Sequence, residues 1–199
     1  VGMLLARAVL RDADSKWSEI IEAHDSFYIG SDIFYSFLVE NGCWETRQKQ
    51  KNPATFLEGS EEARQRIGDG VFPDYIIKRF SDMLDHFGQS PIIVRSSSLL
   101  EDSFGNSFAG KYDSVFCTSQ GTRRQRLDEF LNAVRHVYAS TMSEDALTYR
   151  ARRGVLHRDE QMALLVQRVS GDAHEGRYFP AAAGVGASFN PYRWDKSID

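Results

Sequence analysis

The chain reads as an α+β protein, and three observations predict this class. Apolar residues recur at the 3.6-residue period in two well-separated stretches, 74–87 and 122–142, which predicts amphipathic helices. Short apolar runs of strand length stand apart from them at 92–95, 112–118 and 161–169. A length of 199 residues allows one substantial core or two small lobes around these elements.

Taken in order, residues 2–10 read as a short buried helix, and Trp17, Ile20, Ile21 and His24 share one face of a second. Ser31 suits the N-cap of a helix over 32–40, with Ile33, Phe34, Phe37 and Leu38 inward and Gly42 as its stop. Residues 43–71 are polar and broken by Pro53, Gly59, Gly68 and Gly70, so they read as mostly loop with a helical turn at 61–66. Pro73 occupies a first-turn position, and the stripe Ile76, Phe80, Met83, Leu84 and Phe87 follows it to Gly88. The longest helix starts near Thr122 and carries Leu127, Phe130, Leu131, Val134, Val137, Tyr138 and Met142 on one face. Another, capped by Ser143 with Glu144 and Asp145 in its first turn, runs to Gly154. From Gly171 to Gly186 the chain is rich in Gly and Ala and reads as the entrance to a different unit. The start at Val1 without an initiator methionine, and the end at Asp199 without a stop signal, read as a fragment cut from a longer protein.

Composition narrows the function classes. A net charge of -4 offers no electrostatic basis for nucleic acid as main partner. No apolar run approaches the roughly 18–20 residues of a membrane span. Cys43 and Cys117 are far apart and in no CxxC pattern, which points to a reduced cytoplasmic compartment rather than a disulfide framework. The histidines have no metal-ligand spacing, and His24 and His86 read as core or helix-end residues. His157-Arg158-Asp159 is similar to a protein-kinase catalytic loop, but Leu164 stands where that loop needs its Asn, so a surface turn is the reading. Gly184-Val185-Gly186 begins like a dinucleotide fingerprint, yet position 189 is Phe and no long helical pattern follows.

One segment carries chemistry. Val94-Arg95-Ser96-Ser97-Ser98-Leu99-Leu100-Glu101-Asp102-Ser103 follows an apolar strand and joins an arginine to a hydroxyl cluster and an acidic pair. An arginine at that place is costly to bury unless an anion meets it, and guanidinium matches phosphate oxygens bidentately. Composition leaves a second reading open, an arginine paired with Glu101 or Asp102 in a turn. Ser107-Phe108-Ala109-Gly110-Lys111 suits a mobile flap whose Gly110 lets backbone N–H groups approach phosphate, with Ser114 adding a hydroxyl; a tight hairpin with Phe108 in the core is the alternative. Gln167, in the strand Leu164-Leu165-Val166-Gln167-Arg168-Val169, is an amide able to meet a base or ribose, although on its own it reads as a solvent-facing position.

Together these segments resemble the nucleotide-binding domain of the pyruvate phosphate dikinase and phosphoenolpyruvate synthase family, whose pattern runs close to VRSSA-x-x-ED, SFAGQ-x-x-T, an AS…A-x-x-YR helix pair and a VQ strand. Here the matches are Val94-Arg95-Ser96-Ser97-Ser98, Glu101-Asp102, Ser107-Phe108-Ala109-Gly110, Ala139-Ser140, Ala146, Tyr149-Arg150 and Val166-Gln167, in that order over about residues 90–170. The resemblance implies an ATP-grasp-like fold: a first lobe over 1–168 and the start of a second over 169–199. It also implies transfer of a phosphoryl group from ATP, through a phosphohistidine on a swivelling domain of the same parent chain, to pyruvate or a similar acceptor. By position, Arg95 would take the catalytic, phosphate-binding role. Gly110, Ser114 and the backbone at Val115 would cover the phosphates, and Gln167 would lie at the nucleotide.

The departures matter. Ser114 replaces a threonine, Lys111 replaces a glutamine, and Gly184-Val185-Gly186-Ala187-Ser188-Phe189-Asn190-Pro191 stands for the family's GV-x-FT-x-x-P segment. The family's ATP-contacting GGK lysine is expected upstream of Val1 and its Mg2+-binding carboxylates beyond Asp199, so no metal ligand is assigned here. The fragment alone is expected to be inactive. A glucan or antibiotic dikinase of the same domain type, or a non-catalytic nucleotide-binding module, are the alternatives.

Overall fold

The computed structural model describes residues 2–21, 25–103, 106–107 and 110–184. They divide into two units, Val1–Val169 and Ser170–Asp199.

The first unit is built on an antiparallel sheet of order β1-β6-β2-β5, with β1 Ser26–Ile29, β2 Ile92–Ser98, β5 Ser114–Cys117 and β6 Met162–Arg168. β3 (Asp102–Ser103) and β4 (Asn106–Ser107) form a separate small ladder after β2. One face of the large sheet is apolar: Ile92 and Val94 of β2 and Met162, Leu164 and Val166 of β6 are buried, alternating with less buried neighbours as a half-covered sheet requires. α3 (Ser31–Glu40), α6 (Asp74–Phe87) and α7 (Arg123–Ser140) form the helical side of this core. Ring contacts link them, from Tyr138 to Phe37 (5.7 Å), Phe37 to Phe72 (4.4 Å), Phe72 to Phe80 (5.6 Å) and Phe80 to Phe130 (5.2 Å). All five side chains are buried.

Most elements stand where their periodicity put them. The α6 stripe Ile76, Phe80, Met83, Leu84 and Phe87 is buried, and Gly88 ends the helix at φ 63°. On α7 the side chain of Thr122 accepts from Gln125 N while Gln125 Oε1 accepts from Thr122 N at 2.9 Å, a capping box. Ser143 Oγ accepts from Ala146 N at the start of α8 (Glu144–Arg152).

Other expectations need correction. α1 (Gly2–Ala13) is not buried: Leu5, Val9 and Leu10 are exposed, because α1 packs on the short α2 rather than on the core. α2 (Lys16–Ile20) buries nothing, Ile21 has already left the helix, and His24 lies outside the described residues. Ser31 is the first helical residue, and the cap position is Gly30, without a side-chain bond. Pro73 sits at the N-cap of α6, its ψ of 149° still extended, rather than in the first turn.

The largest correction is 43–71, which holds α4 (Trp44–Lys49) and α5 (Ser60–Gly68). Pro53 and Gly59 punctuate only the link between these helices, and the buried spacing Ala63, Ile67 anchors α5. Gly70 earns its place by close approach, since a Cβ there would run into the Phe37 ring. The strands at 92–95 and 112–118 are Ile92–Ser98 and Ser114–Cys117. His157-Arg158-Asp159 is an exposed turn, with Asp159 2.7 Å from Lys51 Nζ. His86 is in the last turn of α6, edge-to-face with Phe27 at 5.4 Å.

The second unit is described as far as residue 184. β7 (Asp172–His174) and β8 (Arg177–Phe179) form an exposed hairpin. Its turn, Glu175-Gly176, has positive φ at both residues, the geometry that matches strand twist. The Val185–Pro191 part of the departing segment lies outside the described residues.

Candidate nucleotide-binding face

Helices cover one face of the sheet, and the strand register decides what stands on the other. Arg95 of β2 is opposite Leu165 on β6 and Ser114 on β5, and Ile93 is opposite Gln167 and Phe116. Tyr28 of β1 is also opposite Leu165. Partners across an antiparallel pair share a face and neighbours along a strand alternate. Arg95, Ser114 and Gln167 therefore stand on the face away from the helices, with Tyr28 and Phe116 beside them.

Phe116 is 68% exposed and Tyr28 57%, so this face presents aromatic surface as well as polar groups. Arg95 Nη1 lies 3.5 Å from Gln167 Oε1, a contact that orients the guanidinium along the sheet. Ile93, Leu165 and Gln167, half-buried, form the floor between. This face, with the Arg95 guanidinium, the Gln167 amide and the Ser114 hydroxyl over a partly apolar floor, offers complementary groups to the base, ribose and phosphates of a nucleotide.

Val115 is paired with Val94 and points toward the helices, so its backbone is what it offers on the edge strand. Gly110 is exposed in the turn before β5 at φ 71°, where a Cβ would meet nothing within 4 Å. Its glycine character answers to backbone conformation rather than to space. Phe108 and Ala109 lie outside the described residues.

The alternative pairing of Arg95 with Glu101 is not what the structure has. Glu101 Oε1 accepts from Ser96 Oγ at 2.7 Å and Oε2 accepts from Ser98 N at 2.7 Å. The hydroxyl cluster is thereby divided. Ser96 and Ser98 alternate to the opposite side from Arg95 and bind the turn, and only Ser97 shares its face. The Asp102 side chain lies outside the described set. Lys111 Nζ sits 5.6 Å from the Tyr149 ring centroid on α8.

Sequence reasoning missed a buried polar cluster beneath this turn. The Glu160 carboxylate is fully buried and accepts from Arg150 Nη1 at 2.6 Å, and from Ser98 Oγ and Tyr112 Oη. Arg150 Nη2 donates to Arg158 O at 2.7 Å. Nearby, Arg47 is 2% exposed and donates through Nη1 to Gln50 Oε1 at 3.1 Å. Burial first, and the neighbouring Arg150 second, push the Arg47 guanidinium down to about 10. Burial and the adjacent Glu160 charge push the Tyr112 phenol well above its usual range. The one signal available in the sequence was an acidic residue directly before an apolar strand.

Among the described residues no three or more His, Cys, Asp or Glu side chains converge to hold a metal ion, and no helix is long and apolar enough to cross a membrane.

Comparison with known proteins bears on the same segments. The chain is 40% identical over 159 residues to phosphoenolpyruvate synthase of Escherichia coli (strain K12), covering 75% of this chain and 19% of that protein. It is 33% identical over 148 residues to rifampicin phosphotransferase of a Streptomyces species, covering 70% and 16%. It is 27% identical over 140 residues to rifampicin phosphotransferase of Bacillus subtilis (strain 168), covering 70% and 14%. It thus spans less than a fifth of the length of these relatives. The family model for the AMP/ATP-binding domain of pyruvate phosphate dikinase matches residues 6–198, nearly the whole chain, and the chain belongs to that family.

Proposed function

We propose that the chain is the ATP-binding part of a dikinase-type phosphotransferase, which moves a phosphoryl group from ATP through a phosphohistidine domain of its parent chain to pyruvate or a similar acceptor. The observation that carries this reading is the convergence of Arg95, Ser114 and Gln167 on one uncovered sheet face, with the Gly110 turn leading into it. In this reading residues 1–168 are the first lobe of an ATP-grasp fold, and residues 169–199 begin the second.

ATP supplies the phosphoryl group. Phosphoryl transfer asks the protein mainly for alignment and charge stabilisation. Arg95 takes the phosphate end, where a bidentate guanidinium offsets the charge that develops on the transferring group. The backbone of the Gly110 turn and the Ser114 hydroxyl donate to phosphate oxygens and keep water out. Gln167, two positions along β6 from the residue opposite Arg95, locates the nucleoside. Phe116, on the same register level as Gln167, offers a ring face to the base. Mg2+ is expected with ATP, held by carboxylates other than those described.

A second reading keeps this chemistry and changes the acceptor. The rifampicin phosphotransferase relatives favour an antibiotic as the group that receives phosphate. The acceptor site would lie outside this chain in either case.

The test is Arg95→Ala in the full-length protein, with ATP-dependent autophosphorylation measured under single-turnover conditions. We expect a loss of at least about tenfold, the scale of one charge-stabilising donor. Turnover near wild type would overturn the assignment of Arg95. Absence of autophosphorylation in the wild type would favour a non-catalytic nucleotide-binding module.

A further inference from the structure

We propose that Glu160 is a positioning residue that ties the strand carrying Arg95 and the loop carrying Gly110 to one buried carboxylate, so that the phosphate-facing groups are held as a unit. The proposal rests on the ATP-binding reading above and adds to it a residue that touches no ligand.

The geometry is specific about what the carboxylate joins. Oε1 accepts from the hydroxyl of Ser98, which ends β2 three residues after Arg95. Oε2 accepts from the hydroxyl of Tyr112, which lies midway between Gly110 and Ser114. The two segments that approach phosphate in the proposed site are therefore pinned to the two oxygens of one side chain. Ser98 passes the restraint on: its Oγ accepts from Leu100 N at 3.0 Å, and its own N–H donates to Glu101 Oε2 at 2.7 Å. Glu101 in turn accepts from Ser96 Oγ at 2.7 Å, next to Arg95.

Stability alone is a poor reason for this arrangement. A fully buried carboxylate loses several kcal/mol of hydration, and apolar packing of the same volume is often at least as stable. Here Glu160 and Arg150 are both fully buried and Arg47 nearly so, two guanidiniums against one carboxylate. Among the described residues Arg47 Nη2 and Arg150 Nε have no hydrogen-bond partner. The cluster sits under the turn rather than in the middle of the aromatic core. What it provides is fixed direction: hydrogen bonds of set length from the strand end and the loop stem to a group that cannot swing into water.

The nucleotide itself supplies the test. If Glu160 positions phosphate-binding groups, weakening its links lowers affinity for ATP but not for adenosine, which lacks phosphates and is held by Gln167 and the apolar floor. A general structural lesion lowers both. Glu160→Gln leaves two buried guanidiniums without a counter-charge and is prone to misfold. Tyr112→Phe and Ser98→Ala each remove one hydroxyl and leave the Arg150 ion pair in place.

Binding of a fluorescent ATP analogue to the full-length protein, with ATP and adenosine as competitors, gives both affinities, and thermal melting reports the fold. We expect each variant to weaken ATP by about fivefold to tenfold, the scale of one hydrogen bond. Adenosine should change by less than about twofold. Unchanged ATP affinity in both variants, or equal losses of ATP and adenosine, would overturn the role of Glu160 while leaving the ATP site standing. A wild-type protein that does not bind the analogue would overturn the ATP reading and this proposal with it.

Discussion

At the scale of single residues, environment rather than residue type decides which groups are available for chemistry. Arg95 and Arg150 are both arginines near the same turn. Arg95 stands exposed on the open sheet face, whereas Arg150 is locked to a carboxylate at 2.6 Å with no exposed surface. The two cysteines follow the same logic. Both are free and buried. Burial, with a smaller contribution from Glu129, pushes the Cys117 thiol up to about 12, and burial also raises Cys43. Only the thiolate attacks alkylating reagents. We therefore expect no modification of the described core by iodoacetamide at pH 8 in buffer and two labels per chain in denaturant, read by intact mass. Labelling in buffer at the denatured rate would show that the strand end carrying Cys117 opens readily.

At the scale of elements, α7 carries the fold. It contacts β2, β5, α5 and α6, and buries Phe130, Leu131, Ala133, Val134, Val137 and Tyr138. Its start is set locally by Thr122 and Gln125, whose side chains satisfy each other's backbone N–H groups. Thr122→Ala should cost about 1 kcal/mol. That is a melting-temperature decrease of about 2–4 °C for a unit of this size, measured by circular dichroism at 222 nm. A neutral result would mean that packing alone sets where α7 begins. β2 makes the complementary point. Ile92 and Val94 pack against the helices, Ile93 and Arg95 alternate to the open face, and Ser98 reaches the buried carboxylate. One strand thus serves the core, the candidate site and the link between them.

At the scale of the whole molecule, the first unit joins its helices through aromatic rings and its sheet through antiparallel pairing. Phe130 lies where α7 meets α6, fully buried and 5.2 Å from Phe80. Removing its ring should leave a cavity that neighbouring rings cannot fill. We expect Phe130→Ala to cost about 3–5 kcal/mol. The melting temperature should drop by roughly 10 °C. A shift of only one or two degrees would mean that the helical layer is not packed as described. The open face is the other consequence of this architecture. A sheet that buries one side against helices leaves the second free for a ligand or a second layer, and this is where Arg95, Ser114 and Gln167 stand.

Much of this was legible in the residues themselves. The stripes of α6 and α7, the caps at Thr122 and Ser143, and the strands around Val94 and Val166 follow from period and capping chemistry, which are local. Phosphate chemistry alone singles out Arg95 and the Gly110 loop with Ser114, each against a structural alternative, whereas Gln167 becomes a candidate only through the family resemblance. Register was not legible, because strand pairing joins residues as distant as Arg95 and Leu165, and only that pairing puts Gln167 beside Arg95. Nor were the exposure of α1, the helices hidden in 43–71, and the gathering of Glu160, Arg150, Tyr112 and Ser98. Each depends on which surfaces meet, and burial is a property of the folded neighbourhood rather than of the chain order. The sequence by itself determined the chemistry this domain can bring to a nucleotide. The tertiary structure decided which of those groups stand together on the open face and which segments the buried Glu160 carboxylate joins, because register and burial arise only where distant parts of the chain meet.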